Sequence, residues 1–435
     1  MSLCGPPEPR VTHFFMTKDK QIVPSFNELG LSQELLTVLN SLKFTTPTPI
    51  QHQCIPVALE GKDIVGIAQT GTGKTLAFGL PMLQLLMQTG GQALILLPTR
   101  ELALQVDEVL HKVGQKFGLK TAVLIGGTSS FQQIQAIRLK PQVLVSTPGR
   151  LIDLLQRKNL TLEKVKMIVL DEADRMFDIG FMPQIKQILA LAPKNRQTLM
   201  FSATMPKAIA DVANQFMKMP WRIEVAPQGT TASQIEQEIF IASKEIRSQL
   251  LEKLLDDNHG TVLIFSRTKH GAKKIANAVR TMGHSAVEIH SNRSLSQRQE
   301  AMKGFKNGKY RVLVATDIAA RGIDVNNISL VINYDLPDNL DDYVHRIGRT
   351  GRAGLSGKAI SFVGPDQRFN VKQIERLIKK TIPVSALPIL PPRRAVNANP
   401  KFHDRPITRN AKQYQSSKAF RRPKRNFRRK ATYQK

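Results

Sequence analysis

The stretch Val169-Leu170-Asp171-Glu172-Ala173-Asp174-Arg175-Met176-Phe177, VLDEADRMF, breaks an apolar run with three acids in four residues. Carboxylates packed this closely repel one another unless a cation sits among them. Acids are also common and stabilising in the first turn of a helix. Which reading holds depends on whether the chain carries a phosphate cradle that would bring a cation with it.

It does, about a hundred residues earlier. Residues 63–68 read as a strand and run into Ala68-Gln69-Thr70-Gly71-Thr72-Gly73-Lys74-Thr75, followed by the helical LAFGLPMLQLL. Strand, glycine-rich turn and helix form the P-loop arrangement. Gly71 and Gly73 let backbone N–H groups curl around phosphate oxygens, and the helix N-terminus adds partial positive charge. In this pattern Thr70 and Thr72 belong to the cradle, Lys74 reaches the β- and γ-phosphates, and the Thr75 hydroxyl holds Mg²⁺. Ala68 stands where the usual first glycine would be. Asp171 then reads as the second Mg²⁺ carboxylate, acting through water. Glu172 reads as the general base that polarises the attacking water.

Working outward, residues 25–225 alternate short Val/Ile/Leu-rich strands with amphipathic helices; the strands fall at 63–68, 93–97, 122–125, 143–146, 167–170 and 198–201. Apolar runs without alternation suit strands buried on both faces of a parallel sheet. Small and breaker residues at 226–234 read as a linker. A second series occupies 235–383, with strands at 238–241, 262–266, 286–289, 312–315, 330–333 and 359–363. Ser294 with Gln297 marks a helix start by the capping-box pattern. Residues 1–24 form an N-terminal extension that fits no motif, and 384–435 a tail. The fold class expected is α/β: two tandem parallel-sheet domains and a basic disordered C-terminal tail.

The chain has 435 residues and a formal net charge of +29, which favours polyanionic partners. Residues 391–435 hold fifteen Lys and Arg against the single acid Asp404, so 15 − 1 = +14 comes from the tail. No apolar run is long enough to span a bilayer, and the first residues lack a signal core. Two cysteines make no disulfide framework, and no zinc spacing occurs. These features point to a cytoplasmic protein without a membrane partner.

Further segments carry a resemblance. Phe44-Thr45-Thr46-Pro47-Thr48-Pro49-Ile50-Gln51, Pro98-Thr99-Arg100-Glu101-Leu102-Ala103, Gly126-Gly127, Thr147-Pro148-Gly149-Arg150 and Ser202-Ala203-Thr204 occur in order through the first half. In the second half, Ala315-Thr316-Asp317 runs on to Gly322-Ile323-Asp324, and His345-Arg346-Ile347-Gly348-Arg349-Thr350-Gly351-Arg352 follows. Together with VLDEAD these resemble the motifs of the DEAD-box ATP-dependent RNA helicases of superfamily 2, in the manner of short bacterial RhlE-type members, over about residues 26–382.

The resemblance implies two RecA-like domains and an RNA-stimulated ATPase that binds RNA without sequence preference and locally unwinds short duplexes. ATP and Mg²⁺ are the implied cofactors. Gln51 would read the Hoogsteen edge of adenine, Phe44 would stack on the base with support from Phe26, and Asp324 would contact the ribose. Arg346 and Arg349 would serve as arginine fingers from the second domain. Arg100, Gly127, Thr147, Gly149, Arg150, Arg267 and Thr316 would grip RNA phosphates and sugars. Asp174, Ser202, Thr204 and His345 would couple the two sites. Lys43 replaces a usual glycine, and His290-Ser291 stands where His-Gly is common. The tail, with its interspersed aromatics, is expected to add salt-sensitive RNA affinity, or to reach ribosomal particles or RNA-decay proteins. Ribosome assembly and RNA turnover both suit this core. An ATP-gated RNA clamp with little turnover is the alternative reading.

Overall fold

The computed structural model describes residues 24–69, 71–225, 235–320, 328–351 and 357–392. The extension up to residue 23, Thr70, the linker at 226–234, Asp324, Arg352 and the tail beyond 392 therefore lie outside the described residues.

Seven strands form the first sheet: β1 (Ile64–Ile67), β2 (Gln92–Leu96), β3 (Thr121–Leu124), β4 (Val143–Ser146), β5 (Val165–Leu170), β6 (Gln197–Ser202) and β7 (Trp221–Glu224). Seven more form the second: β8 (Ile235–Ile241), β9 (Val262–Phe265), β10 (Ala286–Ile289), β11 (Val312–Ala315), β12 (Leu330–Asn333), β13 (Gly357–Val363) and β14 (Val384–Ser385). All pairings are parallel, for example Ile64 beside Leu199 and Val312 beside Val262. The spatial orders are β3-β4-β2-β5-β6-β1-β7 and β10-β11-β9-β12-β13-β8-β14. Adding seven to each strand of the first order gives the second, so the chain builds one plan twice.

The strands expected from apolar runs are present in both sheets. Two strands have no counterpart among those expectations. β7 is exposed at three of its four residues and β14 has two residues, so neither carries an apolar run. Both lie at sheet edges, where one ladder of backbone bonds suffices to hold them.

Each sheet is covered on both faces. Phe78, Leu80, Ile95 and Phe201 lie in one core of the first half and Leu94, Leu144, Ile168 and Met200 in the other. Leu263, Phe305 and Val331 sit in one core of the second half, and Leu250, Ile264 and Phe362 in the other. The Ser294–Gln297 capping box forms: Gln297 N–H donates to Ser294 Oγ at 3.2 Å and Ser294 N–H to Gln297 Oε1 at 3.0 Å. Both sheets lie within one compact unit that ends at Pro391. In open parallel sheets, ligands gather at the carboxyl ends of strands, and the sequence-predicted site residues sit there.

Candidate active site and nucleic-acid interface

Gly71 and Gly73 both have φ of +89°, a conformation that favours glycine. A Cβ on Gly73 would stand 2.4 Å from Gln51 Nε2. Lys74 opens the helix Lys74–Thr89, with Thr75 next to it. Its ammonium is buried, donates to the Ala68 carbonyl at 3.0 Å and lies 3.9 Å from Asp171 Oδ1.

Asp171 follows β5 directly. Burial pushes its carboxyl up to about 6; Lys74 opposes the shift and Glu172 adds to it. Glu172 has φ +53° and ψ 52°, a left-handed conformation costing about 1–3 kcal/mol outside glycine. Its carboxylate lies 3.2 Å from Arg175 Nη1. Burial would raise its proton affinity, but Arg175, Lys74 and Arg349 outweigh that and hold it below the usual range. Asp174 Oδ2 accepts from Ala203 N–H and Thr204 N–H, both at 2.9 Å, and from Thr204 Oγ1 at 3.2 Å. Its own N–H donates to Ser202 Oγ at 3.1 Å. Asp174, Ser202 and Thr204 thus form one bonded unit beside the acids.

A cleft between the halves is lined by Lys74, Glu172, Asp174, Arg175, Asp178 and Ala203 from the first, and by His345 and Arg349 from the second. Arg349 is buried and donates from Nε to the His345 carbonyl at 3.1 Å. Arg346 is not among the cleft residues, against the expectation of a finger. Its guanidinium donates to both Asp317 oxygens at 2.5 and 2.7 Å and to Asn333 Oδ1 at 3.2 Å, and stacks 5.0 Å from the Phe265 ring centroid. With these donors satisfied inside the second half, nothing directs it across the cleft. Arg175 and Asp178 were missed by sequence reasoning. The signal for Arg175 was its place three residues after Glu172, one helical turn on.

Gln51 is buried, with both amide ends engaged: Oε1 accepts from Thr48 N–H at 2.9 Å, and Nε2 donates to the Gly73 carbonyl at 3.0 Å. It braces the phosphate loop, leaving one lone pair and one N–H for a base. Phe44 is exposed and Phe26 buried. Lys43 takes φ +63°, so the turn keeps the shape that glycine favours.

The residues expected to grip RNA fall into two groups. In the first half, Arg100 packs over Gly126-Gly127, and a Cβ on Gly127 would stand 2.1 Å from Arg100 Nη1. Thr147 is the N-cap of the helix Pro148–Gln156, which places Gly149 in its first turn. Arg150 is held by Gln133 at 3.0 Å, Ser130 at 2.7 Å and Asp153. In the second half, Arg267 lies 3.2 Å from Asp338, and Thr316 N–H donates to the Ile289 carbonyl at 3.3 Å. All are at or just beyond strand carboxyl ends. The halves also meet where Arg298 Nη2 lies 2.8 Å from Glu101 and Leu295 packs against a first-half core.

The second half repeats one element of the phosphate site. Arg247 opens the helix after β8 as Lys74 does after β1, and it lies 3.1 Å from Asp335, just beyond β12. It also donates to the Tyr334 and Ala242 carbonyls, and no glycine-rich loop precedes it.

Residues 48–212 match the DEAD/DEAH box helicase family model and residues 245–354 the helicase conserved C-terminal domain. The DEAD-box ATP-dependent RNA helicase CshA of Bacillus cereus is 43% identical over 359 residues, 82% of this chain and 68% of that protein. CshA of Bacillus subtilis is 40% identical, covering 82% and 73%. Among solved structures, S. cerevisiae Dbp5 bound to RNA and ADP BeF3 aligns with a TM-score of 0.74 at 33% identity, over 82% of this chain and 95% of that one. Mss116p bound to ssRNA and AMP-PNP aligns with a TM-score of 0.77 at 29% identity, over 85% and 81%. Two RecA-like domains in tandem, a nucleotide cleft between them and matches of this extent lead to one conclusion: the chain belongs to the DEAD-box helicase family.

Proposed function

We propose that the chain is an RNA-stimulated ATPase that locally unwinds short RNA duplexes without reading sequence. The observation that carries this reading is the shared cleft, in which Lys74 and Glu172 of one half face His345 and Arg349 of the other. Groups from two bodies around one phosphate make ligand binding and closure the same event.

The donor set suits a nucleotide with Mg²⁺. A Mg²⁺ carried in with a nucleotide would take most of its ligands from phosphate and water. Thr75 and Asp171 would hold it, and when bound it neutralises phosphate charge. Lys74 would pair with the terminal phosphates once it leaves the Ala68 carbonyl. Glu172 would orient the attacking water and accept its proton. Arg349 would steady charge on the transferring group. Asp174, bonded to Ser202 and Thr204, would report the state of the cleft to the RNA-facing loops. The working division is residues 25–225 and 235–383, joined at 226–234. The setting best suited to it is the cytoplasm, in ribosome assembly or RNA turnover, with the tail as the attachment to RNA or ribonucleoprotein partners.

The test is steady-state ATP hydrolysis by the purified chain alone, with single-stranded RNA and with matched DNA. Stimulation by RNA alone is expected. Equal stimulation by DNA would overturn the RNA assignment, and ATP-dependent RNA binding without turnover would replace the helicase with a clamp.

A further inference from the structure

The end of the first half opposite the cleft carries a row of lysines that the reactions above do not use. In a parallel sheet, residues just before each strand gather at one edge. Lysine occurs within three residues of the start of six of the seven first-sheet strands. Taken across the sheet from β3 to β7 they are Lys120, Lys140, Lys164, Lys194, Lys62 and Lys218. Each is exposed, and among the described residues none is within salt-bridge distance of a carboxylate. Backbone bonds fix the edge: Gln92 N–H donates to the Lys164 carbonyl at 2.8 Å and Gln142 N–H to the Lys120 carbonyl at 2.9 Å. The nearby acids are the exposed Glu60 and Glu163 and the buried Asp63, which accepts from Lys218 N–H at 2.7 Å and feels the Lys218 charge.

Seven strands spaced at about 4.8 Å make this edge about 30 Å wide. At its β7 end two apolar side chains stand in solvent, Met219 at 92% exposure and Trp221 at 44%. Helix C-termini attract lysine through their partial negative charge, and helices end at this edge too. That effect does not produce the row. The second sheet has the same strand order, yet only β11 has a lysine within three residues before it, Lys309, which lies over the Tyr310 ring. Thr261, Ser285 and Ser329 immediately precede β9, β10 and β12.

We propose that this lysine row, ending at Trp221, is an auxiliary RNA-binding track that holds the phosphate backbone of a strand extending beyond the cleft. A row of exposed ammonium groups suits a polyanion, and an exposed indole suits stacking on a base without reading sequence. An acidic protein would match the charge, but a row shared by six of the seven strand starts matches the repeating phosphates of a strand better. The proposal rests on RNA as the substrate. Its readout is independent of turnover, so it can fail while the ATPase reading stands.

Trp221 is the one tryptophan in the sequence, so its fluorescence reports on this edge specifically. The full chain is titrated with a single-stranded RNA of about 10 nucleotides, the scale of one binding site, and with one of about 40. Both are expected to stimulate ATP hydrolysis, and the longer one alone to quench Trp221. Lys62→Glu with Lys218→Glu is expected to abolish the quench and lower the log–log salt slope of long-RNA binding by about 1.4, at about 0.7 per lost phosphate contact. Stimulation by the short RNA should be unchanged in that variant. The track is overturned if the long RNA leaves Trp221 emission unchanged while stimulating turnover, or if the short RNA quenches equally. Quenching by polyglutamate but not by RNA also overturns it, and would assign the edge to an acidic protein.

Discussion

Arg346 holds Asp317 through two hydrogen bonds, 2.5 and 2.7 Å long, wholly within the second half. Three residues later Arg349 lines the cleft. The two arginines should separate cleanly by assay. Arg346→Gln leaves Asp317 without its partner and should lower stability by about 3 kcal/mol, read as an earlier denaturation midpoint. Arg349→Gln also removes a buried guanidinium, but its main effect should be on turnover, cutting RNA-stimulated kcat by about 10³-fold. A Arg346→Gln variant with unchanged stability would count against the tie.

Glu172 is the acid proposed to accept a proton from water. Glu172→Gln should lower ATP hydrolysis by about 10²–10⁴-fold. It should also retain RNA in the presence of ATP, because the closing contacts remain. Filter retention with and without ATP, beside a turnover assay, checks both parts. Normal hydrolysis would remove Glu172 from the base role.

Gly127 is glycine because Arg100 fills the space where a Cβ would go. Gly127→Ala also strains a residue at φ +77°. Displacing the guanidinium should weaken RNA binding about tenfold, some 1.4 kcal/mol, while the ATP KM stays near its original value. An increase in the ATP KM alone would mean that Arg100 serves the nucleotide side.

Gln51→Ala removes the brace between Thr48 and Gly73. The Thr48 N–H then loses its partner, at about 1–3 kcal/mol, while the Gly73 carbonyl keeps the Ala77 N–H. The expected result is a raised ATP KM with weakened discrimination between ATP and GTP. Selectivity retained in full would show that the amide braces the loop without reading the base.

Glu288 is buried between Arg280 and Arg293 in the second half. Burial would raise its pKa, but the two guanidinium groups outweigh that and lower it. A lowered folded pKa contributes stability that is present above about 4.5 and is lost as pH falls through the folded value. Glu288→Gln should therefore destabilise the chain by about 2 kcal/mol at pH 7, with the gap from the unsubstituted chain narrowing toward pH 3. Denaturant melts at the two pH values check this.

Legibility in the sequence followed how local the cause was. Lys74 and Asp171 were readable because a glycine-rich turn after a strand, and acids after an apolar run, are local patterns with one good chemical use. The strands of both sheets were readable because burial on two faces leaves continuous apolar runs. β7 and β14 were not, because an edge strand needs only one partner and little apolar surface. Arg346 could not be told from Arg349, since both belong to the one HRIGRTGR stretch and only packing against Asp317, Asn333 and Phe265 separates them. The brace from Gln51 to Gly73 spans 22 residues and needs the loop's own shape. The pairing of Leu295 and Arg298 with the first half depends on how the two halves meet, and no local pattern encodes that.

Arg247 and Asp335 occupy in the second half the places that Lys74 and Asp171 occupy in the first, but they are closed on each other at 3.1 Å. Duplicating a plan twice over could have produced two fuel chambers. Here the copy's cation is engaged by its own acid and by the Tyr334 and Ala242 carbonyls, and no glycine-rich loop precedes it, so the two halves are built alike but equipped differently.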